Sequence, residues 1–139
     1  MILLDTSGLL AVIDGSQRHH PACAAAMAAA RAPRILSPFV LAELDYFLGK
    51  HVGHAAQTAL LEEVAKEVYR LEPFAAADVA RARDVIARHS ALGLGLADAS
   101  IVVLAGRYGV RDVLTLDERH FRVVRALDGS RFRLLPSDA

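Results

Sequence analysis

Short apolar runs alternate with longer stretches of helical periodicity along this chain. Runs of a few mainly apolar residues are typical of buried strands, whereas apolar positions three and four residues apart are typical of helices. This pattern predicts strands at 2–4, 34–37, 68–71, 112–116 and 132–135. It predicts helices at 9–13, 21–30, from 38 to about 49 or 53, 54–67, 76–89 and 96–107.

The order of these elements determines the expected fold class. Short apolar strands that alternate with helices form parallel sheets covered by helices on both faces. We therefore expect a three-layer α/β/α sandwich around a mostly parallel sheet of about five strands. Residues 5–8, Asp-Thr-Ser-Gly, are expected to form a turn between the first strand and a short helix that begins at Leu9.

The composition narrows the class of protein. The chain has 139 residues, of which 54% are hydrophobic and 23% charged, so we expect one folded domain over 1–139. The net charge is zero, which argues against a protein that coats nucleic acid indiscriminately. Cys23 is the only cysteine, which excludes an intrachain disulfide and a cluster of thiolate ligands. Neither a signal peptide nor a membrane span is evident, and we expect a cytoplasmic protein.

Four acidic residues stand where a parallel sheet would place a ligand site. Ligands bind outside the carboxyl ends of the strands in such sheets. Asp5 and Asp117 each follow a predicted strand, and Asp98 falls in the first turn of a predicted helix. Glu43 lies in the middle of another helix, where its apolar neighbours predict burial and therefore a partner such as a metal ion or a base.

Each of these acids also has an ordinary structural interpretation. Asp5 is able to shape the turn that follows it, and Asp98 and Asp117 are able to cap helices. Asp45 lies two residues from Glu43, points to nearly the opposite side of the helix, and is a candidate for pairing with a base. A further group of acids decorates the polar face of one helix and is interpreted as solvated: Glu62, Glu63 and Glu67.

Carboxylates that converge on one sheet edge need a positive charge to offset their repulsion. Hard divalent cations such as Mg²⁺ prefer oxygen ligands. In a site of this kind the cation polarises a phosphodiester and activates water for in-line attack. The spacing of the four acids does not by itself establish that they converge.

Four segments around these acids resemble the motifs of one nuclease family. Residues 4–11, Leu-Asp-Thr-Ser-Gly-Leu-Leu-Ala, resemble the first motif of PIN-domain ribonucleases, in particular the VapC toxins of bacterial toxin–antitoxin pairs. Residues 37–44 resemble the second motif, which carries a helical glutamate. Residues 96–100 resemble the third motif and 114–121 the fourth. The order, the spacing and the total length agree, so the resemblance covers nearly the whole chain.

The resemblance implies a PIN fold in which Asp5, Glu43, Asp98 and Asp117 surround one or two Mg²⁺ or Mn²⁺ ions. It implies hydrolysis of phosphodiester bonds in structured RNA, either tRNA or rRNA, that leaves 5′-phosphate and 3′-hydroxyl ends. Members of this family typically form homodimers and are neutralised by a VapB antitoxin, whose tail often places a basic residue in the acidic pocket. The resemblance therefore implies an RNA substrate, a VapB-type antitoxin and a homodimer.

Several polar residues beside the acids have two interpretations. Thr6 and Thr115 are candidates for orienting a carboxylate or a water molecule, or are ordinary hydroxyls of a turn and a strand. Ser7 stands at a position that is small and polar in many relatives. A basic patch follows the fourth acid and either contacts RNA phosphates or is a solvated face: Arg119, His120, Arg122 and Arg125.

Other functions fit the sequence less well. An aspartyl phosphatase requires an acid where Ser7 stands, and a receiver domain requires paired acids after its first strand and a lysine after its last. The only lysines are Lys50 and Lys66, and Gly93-x-Gly95 lacks the third glycine of a phosphate-binding loop. The more serious alternative is a non-catalytic PIN-fold protein that binds RNA or a protein partner, against which the complete set of acids argues.

Overall fold

Five short strands form a single sheet in this computed structural model, which describes all of residues 1–139. They are β1 (Ile2–Leu4), β2 (Arg34–Leu36), β3 (Arg70–Leu71), β4 (Asp112–Leu114) and β5 (Arg133–Leu135). Their order across the sheet is β3-β2-β1-β4-β5, and every neighbouring pair is parallel. The prediction of a mostly parallel sheet of five strands is therefore confirmed.

Helices connect the strands and cover both faces of the sheet. They are α1 (Thr6–Ile13), α2 (His20–Ala29), α3 (Pro38–Phe47), α4 (His54–Ala65), α5 (Ala76–Arg88), α6 (Leu96–Tyr108) and α7 (Glu118–Phe121). A π-helical turn at Leu48–Val52 joins α3 to α4, and a 3₁₀ turn at Ser90–Leu92 lies between α5 and α6. The predicted three-layer α/β/α fold is confirmed. None of these helices combines the length and the apolar character needed to span a lipid bilayer.

The central strand, β1, is buried on both faces. Ile2, Leu3 and Leu4 are each at most 1% exposed. Because consecutive side chains of a strand point to opposite faces, burial of all three requires helices on both sides of the sheet. Helix α6 is the most deeply buried of these helices, and its Ile101 and Leu104 belong to the same apolar core as β1.

The first helix begins earlier than the sequence predicted. Helix α1 starts at Thr6, directly after β1, so the predicted turn at 5–8 is wrong. Asp5 keeps an extended backbone and its carbonyl oxygen accepts a hydrogen bond from the Leu9 backbone at 3.0 Å, which makes Asp5 the N-cap residue of α1. The change from strand to helix within one residue leaves Asp5 at the carboxyl end of β1.

Two other boundaries differ from the prediction in the part of the chain that carries the fourth acid. Strand β4 ends at Leu114 rather than at 116, and beyond it the Leu116 backbone donates to the Ser7 hydroxyl while the Thr115 hydroxyl donates to Asp5. Helix α7 was not predicted, since its four residues are too few to show helical periodicity. The side chain of Asp117 begins this helix by accepting a hydrogen bond from the His120 backbone.

A buried ion pair, which the sequence did not indicate, links the sheet edge to α5 and α6. Glu72, directly after β3, is 4% exposed, and its carboxylate contacts the Arg107 guanidinium at 3.1 Å and the Tyr108 hydroxyl. Arg107 also pairs with Asp78 of α5 at 3.0 Å. Because each charge in this cluster has a partner, the burial of Glu72 does not leave an uncompensated charge in the interior.

Gly8 allows α1 to approach β4 closely, and we expect its replacement to destabilise the fold. A methyl group on Gly8 would overlap the carbonyl oxygen of Leu114 and lie 2.6 Å from its carbonyl carbon. Since both atoms belong to backbone, Gly8→Ala should lower the free energy of unfolding by about 2 kcal/mol or more, as overpacking does. The measurement is urea denaturation followed by circular dichroism.

Gly15→Ala is the matched control for this change. A methyl group on Gly15 meets no atom within 4 Å, so its unfolding free energy should stay within about 0.5 kcal/mol of that of the natural chain. Equal urea midpoints for Gly8→Ala and the natural chain would contradict the close packing of α1 on β4.

Candidate active site

The carboxyl ends of β2, β1 and β4, which are neighbours in the sheet, meet at one edge. Ser37 follows β2, Asp5 follows β1 and Thr115 follows β4, so the sheet brings together residues that are far apart in the sequence. The backbone of Asp5 donates a hydrogen bond to the Leu114 carbonyl at 3.1 Å, which fixes the end of β1 against the end of β4. This edge is the position at which a ligand site was predicted.

Asp5 is the most deeply buried of the four predicted acids, with 5% of its surface exposed. Its Oδ2 accepts hydrogen bonds from the Thr115 hydroxyl at 2.7 Å and from the Ser7 hydroxyl at 3.0 Å. Burial raises the pKa of Asp5 above its ordinary value, because the charged form loses water; the two hydroxyl hydrogen bonds oppose this shift, and the nearby charge of Asp117 adds to it.

The two hydroxyl groups link Asp5 to the chain around the fourth acid. Ser7 Oγ accepts a hydrogen bond from the Leu116 backbone at 2.9 Å, and Thr115 Oγ1 accepts one from the Asp117 backbone, also at 2.9 Å. Each hydroxyl therefore donates its single proton to Asp5 and uses its oxygen to hold the backbone between β4 and α7. Of the two interpretations of Thr115, the structure has the one in which its hydroxyl orients a carboxylate.

Asp98 lies in the first turn of α6, as predicted, and its side chain is 21% exposed. The start of α6 is attached to the start of α3 by a buried relay, in which the Ser37 hydroxyl contacts the Ser100 hydroxyl at 2.6 Å and Ser100 donates to the Ala97 carbonyl at 2.6 Å. Ser37 also caps α3 by accepting from the Phe39 backbone. This relay fixes the helix that carries Asp98 relative to the helix that carries Glu43.

The environment of Asp98 disfavours its negative charge. Burial and the charge of Asp5 are the two largest causes that raise its pKa, which reaches about 6. The charges of Asp117 and Glu43 raise the pKa further, whereas His120 lowers it. All four predicted acids are therefore close enough for their charges to interact, which is the convergence that spacing in the sequence did not establish.

Asp117 is both the N-cap residue of α7 and a member of the acidic cluster. Its Oδ1 accepts a hydrogen bond from the His120 backbone at 3.0 Å, and its Oδ2 lies 2.8 Å from Nδ1 of the His120 ring. The same ring nitrogen lies 3.5 Å from Oδ2 of Asp98. The structural interpretation of Asp117 as a helix cap is therefore confirmed for one carboxylate oxygen, while the other oxygen faces the acidic cluster.

The exposure of Glu43 differs from the prediction. Its apolar neighbours predicted burial, but it faces solvent on α3, so the argument from a buried charge is wrong for this residue. Apolar residues on both sides of Glu43 along the sequence face inward, while the helix turns Glu43 itself outward. Its Oε1 accepts a hydrogen bond from the Thr6 hydroxyl at 2.7 Å, so Thr6 orients a carboxylate as one of its two interpretations proposed.

The remaining candidates lie outside the cluster or are only partly in it. Asp45 accepts a hydrogen bond from the Gln57 amide at 2.9 Å, so its predicted partner, a base, is wrong. Arg122 pairs with Glu118 and Asp138, both at 2.7 Å, and so forms part of a surface ion-pair network. Arg119 is exposed and forms no salt bridge with a carboxylate.

Two residues of the site were not selected from the sequence. Ser7 was noted only as a small polar position, although the side chain of an N-cap residue such as Asp5 lies close to the second and third residues of its helix. His120 was grouped with the arginines that follow Asp117. Its distance of three residues from Asp117 was the available signal, because residues three apart lie on one face of a helix.

The donor set suits a hard divalent cation. Ligand atoms of Asp98, Asp117 and His120 lie within 4.8 Å of one another, and the charges of Asp5 and Glu43 act on the same group. Carboxylate oxygens outnumber nitrogen donors here, and thiolates are absent, which is the ligand chemistry of Mg²⁺ or Mn²⁺. Burial is the largest cause of the raised pKa values of Asp5 and Asp98, and the charges of neighbouring carboxylates raise both pKa values further.

The largest cavity lies elsewhere. It has a volume of about 570 Å³ and is lined by residues of 32–34 and 64–71, which include the start of β2 and all of β3. None of the four predicted acids lines it. The predicted acids therefore lie outside this cavity.

The raised pKa of Asp98 predicts that Asp98→Asn stabilises the metal-free protein. A carboxyl whose pKa is higher in the folded than in the unfolded state stabilises the fold at low pH, and this contribution is lost as the pH rises from about 4 through about 6. At about pH 8 the neutral variant should therefore unfold with a free energy about 1 to 3 kcal/mol larger than the natural chain.

Thermal and urea denaturation in the presence of a chelator measure this difference. Below about pH 4, where Asp98 is protonated in both states, the advantage of the variant should disappear. Glu62→Gln, at a carboxylate that is 65% exposed, is the control and should change stability little at either pH. A variant of Asp98 that is less stable than the natural chain at high pH would contradict the repulsion described here.

Comparison with known sequences places the chain in a family. Residues 2–127 match the PIN domain family. Ribonuclease VapC26 of Mycobacterium tuberculosis is 38% identical over 135 residues, in an alignment that covers 97% of this chain and 100% of that relative. The match extends over the segments that carry all four predicted acids.

Solved structures agree with this assignment at the level of the fold. VapC20 of Mycobacterium tuberculosis, described as a Sarcin-Ricin loop cleaving toxin, has a TM-score of 0.78 at 23% identity, over 84% of this chain and 90% of that one. The DNA-bound VapBC complex of Salmonella typhimurium contains a chain with a TM-score of 0.70 at 20% identity, over 96% of both chains. The chain belongs to the PIN-domain family and, within it, to the VapC ribonucleases.

Proposed function

We propose that this protein is a metal-dependent endoribonuclease toxin that hydrolyses phosphodiester bonds in structured RNA. The observation that carries the proposal is the cluster of Asp5, Asp98 and Asp117 at the carboxyl edge of the sheet, where burial, together with the charges of the neighbouring acids, raises the pKa of Asp98 to about 6. A cluster of this kind lowers the stability of the fold unless a cation neutralises it, and a cation held there acts on phosphodiesters.

Asp5, Asp98, Asp117 and Glu43 are the residues that would hold Mg²⁺ or Mn²⁺. When bound, the metal ion supplies Lewis acidity toward the phosphodiester and toward water. The protein holds the carboxylates in place beforehand. Thr115 and Ser7 direct Oδ2 of Asp5, Thr6 directs Oε1 of Glu43, and the Ser37–Ser100 relay fixes the start of α6.

The exposure of the acidic side chains increases from Asp5 to Asp117 to Glu43, which suits a polymeric substrate. Asp5 is 5% exposed, the side chain of Asp117 is 29% exposed, and Glu43 faces solvent. A phosphodiester of a folded RNA is therefore able to approach from the side of Glu43 and Asp117, while Asp5 remains behind them. Arg119, beside Asp117 on α7 and without an acidic partner, is available for a phosphate contact.

The relatives support a class of RNA substrate rather than one particular RNA. The structural relative VapC20 is named for cleavage of the Sarcin-Ricin loop, and the sequence relative VapC26 is named as a ribonuclease. We propose tRNA or rRNA as the substrate, with 5′-phosphate and 3′-hydroxyl ends as products. The net charge of zero is consistent with a nuclease that selects one structured site rather than binding RNA generally.

We further propose a VapB-type antitoxin as the partner, a homodimer as the assembly and the cytoplasm, where such RNA is found, as the location. The VapBC complex of Salmonella typhimurium contains a chain of the same fold, which supports an antitoxin partner. The charge of the site supports it too, because a basic side chain from an antitoxin would neutralise the same carboxylates as a cation.

A purified protein without antitoxin should cut structured RNA in Mg²⁺ or Mn²⁺ and stop when a chelator is added. Asp5→Asn should lower the rate by more than about 100-fold, because a neutral amide is a much poorer ligand than a carboxylate and changes further from the metal already cost 10- to 100-fold. The measurement is cleavage of tRNA and of rRNA fragments, with product ends identified by phosphatase and kinase treatment.

Asp84→Asn is the control, since Asp84 lies on the exposed face of α5 and its side chain is 65% exposed. It should cut at the natural rate. Cleavage by Asp5→Asn at the natural rate, or undiminished cleavage in chelator, would contradict the proposed site. Tight RNA binding with no cleavage by the natural chain would instead support the non-catalytic alternative.

Thr115 provides a separate test of how Asp5 is held. Thr115→Val keeps the shape of the side chain but removes the hydroxyl that donates to Asp5 at 2.7 Å, and we expect about a tenfold or greater loss of activity. Thr115→Ser keeps the hydroxyl and should retain most of the activity. Equal activities of the valine and serine variants would show that this hydrogen bond does not contribute.

A further inference from the structure

The His120 ring lies between two parts of the site that the sheet does not connect directly. Its Nδ1 is 2.8 Å from Oδ2 of Asp117, and its Nε2 is 3.1 Å from the carbonyl oxygen of Leu92. Leu92 belongs to the 3₁₀ turn that precedes α6, the helix that carries Asp98. The ring therefore spans from the N-cap residue of α7 to the segment that leads into α6.

Both neighbours of the ring are hydrogen-bond acceptors. A carbonyl oxygen only accepts, and an ionised carboxylate only accepts, so whichever ring nitrogen carries a proton has an acceptor within hydrogen-bond distance. The side chain is 18% exposed, and the helix that carries it has four residues and so has little stability of its own. These contacts are accordingly well placed to hold α7, and with it Asp117, at a fixed distance from α6.

We propose that His120 is a positioning residue that holds the Asp117 carboxylate for a divalent cation by bridging it to the Leu92 carbonyl. This inference rests on the proposed function, because it presumes that Asp117 holds the cation. Groups that orient a metal-binding carboxylate through hydrogen bonds change metal affinity without touching the ion. His120 would act in this way on Asp117, as Thr115 does on Asp5.

A direct ligand role for His120 is the competing interpretation, since its ring belongs to the group of donor atoms that lie within 4.8 Å of one another. The geometry favours positioning. Nε2 is directed at the Leu92 carbonyl, and Nδ1 is within 2.8 Å of one carboxylate and 3.5 Å of another, so neither nitrogen is free to face a cation without breaking a hydrogen bond.

The two roles differ in their effect on the choice of metal. A nitrogen ligand favours Mn²⁺ over Mg²⁺, because Mg²⁺ prefers oxygen ligands. Loss of a ligand nitrogen therefore weakens Mn²⁺ binding more than Mg²⁺ binding. Loss of a positioning residue weakens the binding of both ions by the same factor, since the carboxylates that contact the ion are unchanged.

The experiment is calorimetric titration of the full chain with Mg²⁺ and, separately, with Mn²⁺, for the natural protein and three variants. His120→Phe keeps a flat ring without donors, and His120→Asn keeps a donor near the position of Nδ1. His54→Phe, at an exposed histidine at the start of α4, is the matched control. Circular dichroism melts establish that each variant is folded.

We expect His120→Phe to bind both ions 10- to 100-fold more weakly, with the ratio of the Mn²⁺ and Mg²⁺ affinities unchanged. His120→Asn should recover part of the loss, because it still donates to Asp117, and His54→Phe should match the natural protein. Raising the Mg²⁺ concentration should recover part of the cleavage that His120→Phe loses, because the defect lies in metal binding.

Three outcomes would overturn the inference. They are natural affinity in His120→Phe, no recovery in a folded His120→Asn, and a selective loss of Mn²⁺ binding, which would identify His120 as a ligand. If His120→Phe does not fold, His120→Ala, which also lacks the ring donors, takes its place, and natural metal affinities there with weaker melting would assign His120 to stability only. Failure of the natural protein to bind either ion would contradict the proposed function itself and the inference with it.

Discussion

The burial of Asp5 is the constraint on which the rest of this site depends. A carboxylate that is 5% exposed requires hydrogen-bond donors, and the fold supplies them from the first turn of α1 and from the end of β4. The same two hydroxyls accept from the backbone that leads to Asp117, so the position of the fourth acid depends on how the first is held. Gly8, which lets α1 approach Leu114 closely, is part of the same constraint.

The hydroxyl network compensates Asp5 only in part. The pKa of Asp5 remains raised, and the pKa of Asp98 reaches about 6 because Asp98 is partly buried and because the charge of Asp5 is near it. The metal-free protein therefore gives up stability to keep several acids together, a conflict between folding and function that is common at active sites. A divalent cation, or a basic side chain from an antitoxin, would relieve it. The proposed cation site and the proposed antitoxin contact thus rest on one electrostatic feature.

The sequence predicted the sheet well, because three apolar residues at 2–4 cannot be accommodated except between two layers of helices. The places of Asp5 and Asp117 after strands followed from the same pattern. Glu43 was placed correctly in α3 but wrongly in the interior, because neighbours along a helix do not share its face. The contact of His120 with Leu92 could not be predicted from the sequence, since the two residues are 28 apart, whereas its spacing of three residues from Asp117 was visible there.

The most direct test of this account is the binding of Mn²⁺ to the natural protein as a function of pH, measured by calorimetry without RNA. The cation and the proton compete for Asp98, whose pKa is about 6. We expect an Mn²⁺ affinity that hardly changes with pH near about pH 8 and is about tenfold weaker at about pH 5. Binding at the lower pH should release protons. Absence of binding, or equal affinity at both pH values without proton release, would contradict the claim that this repulsive carboxylate cluster is a cation site.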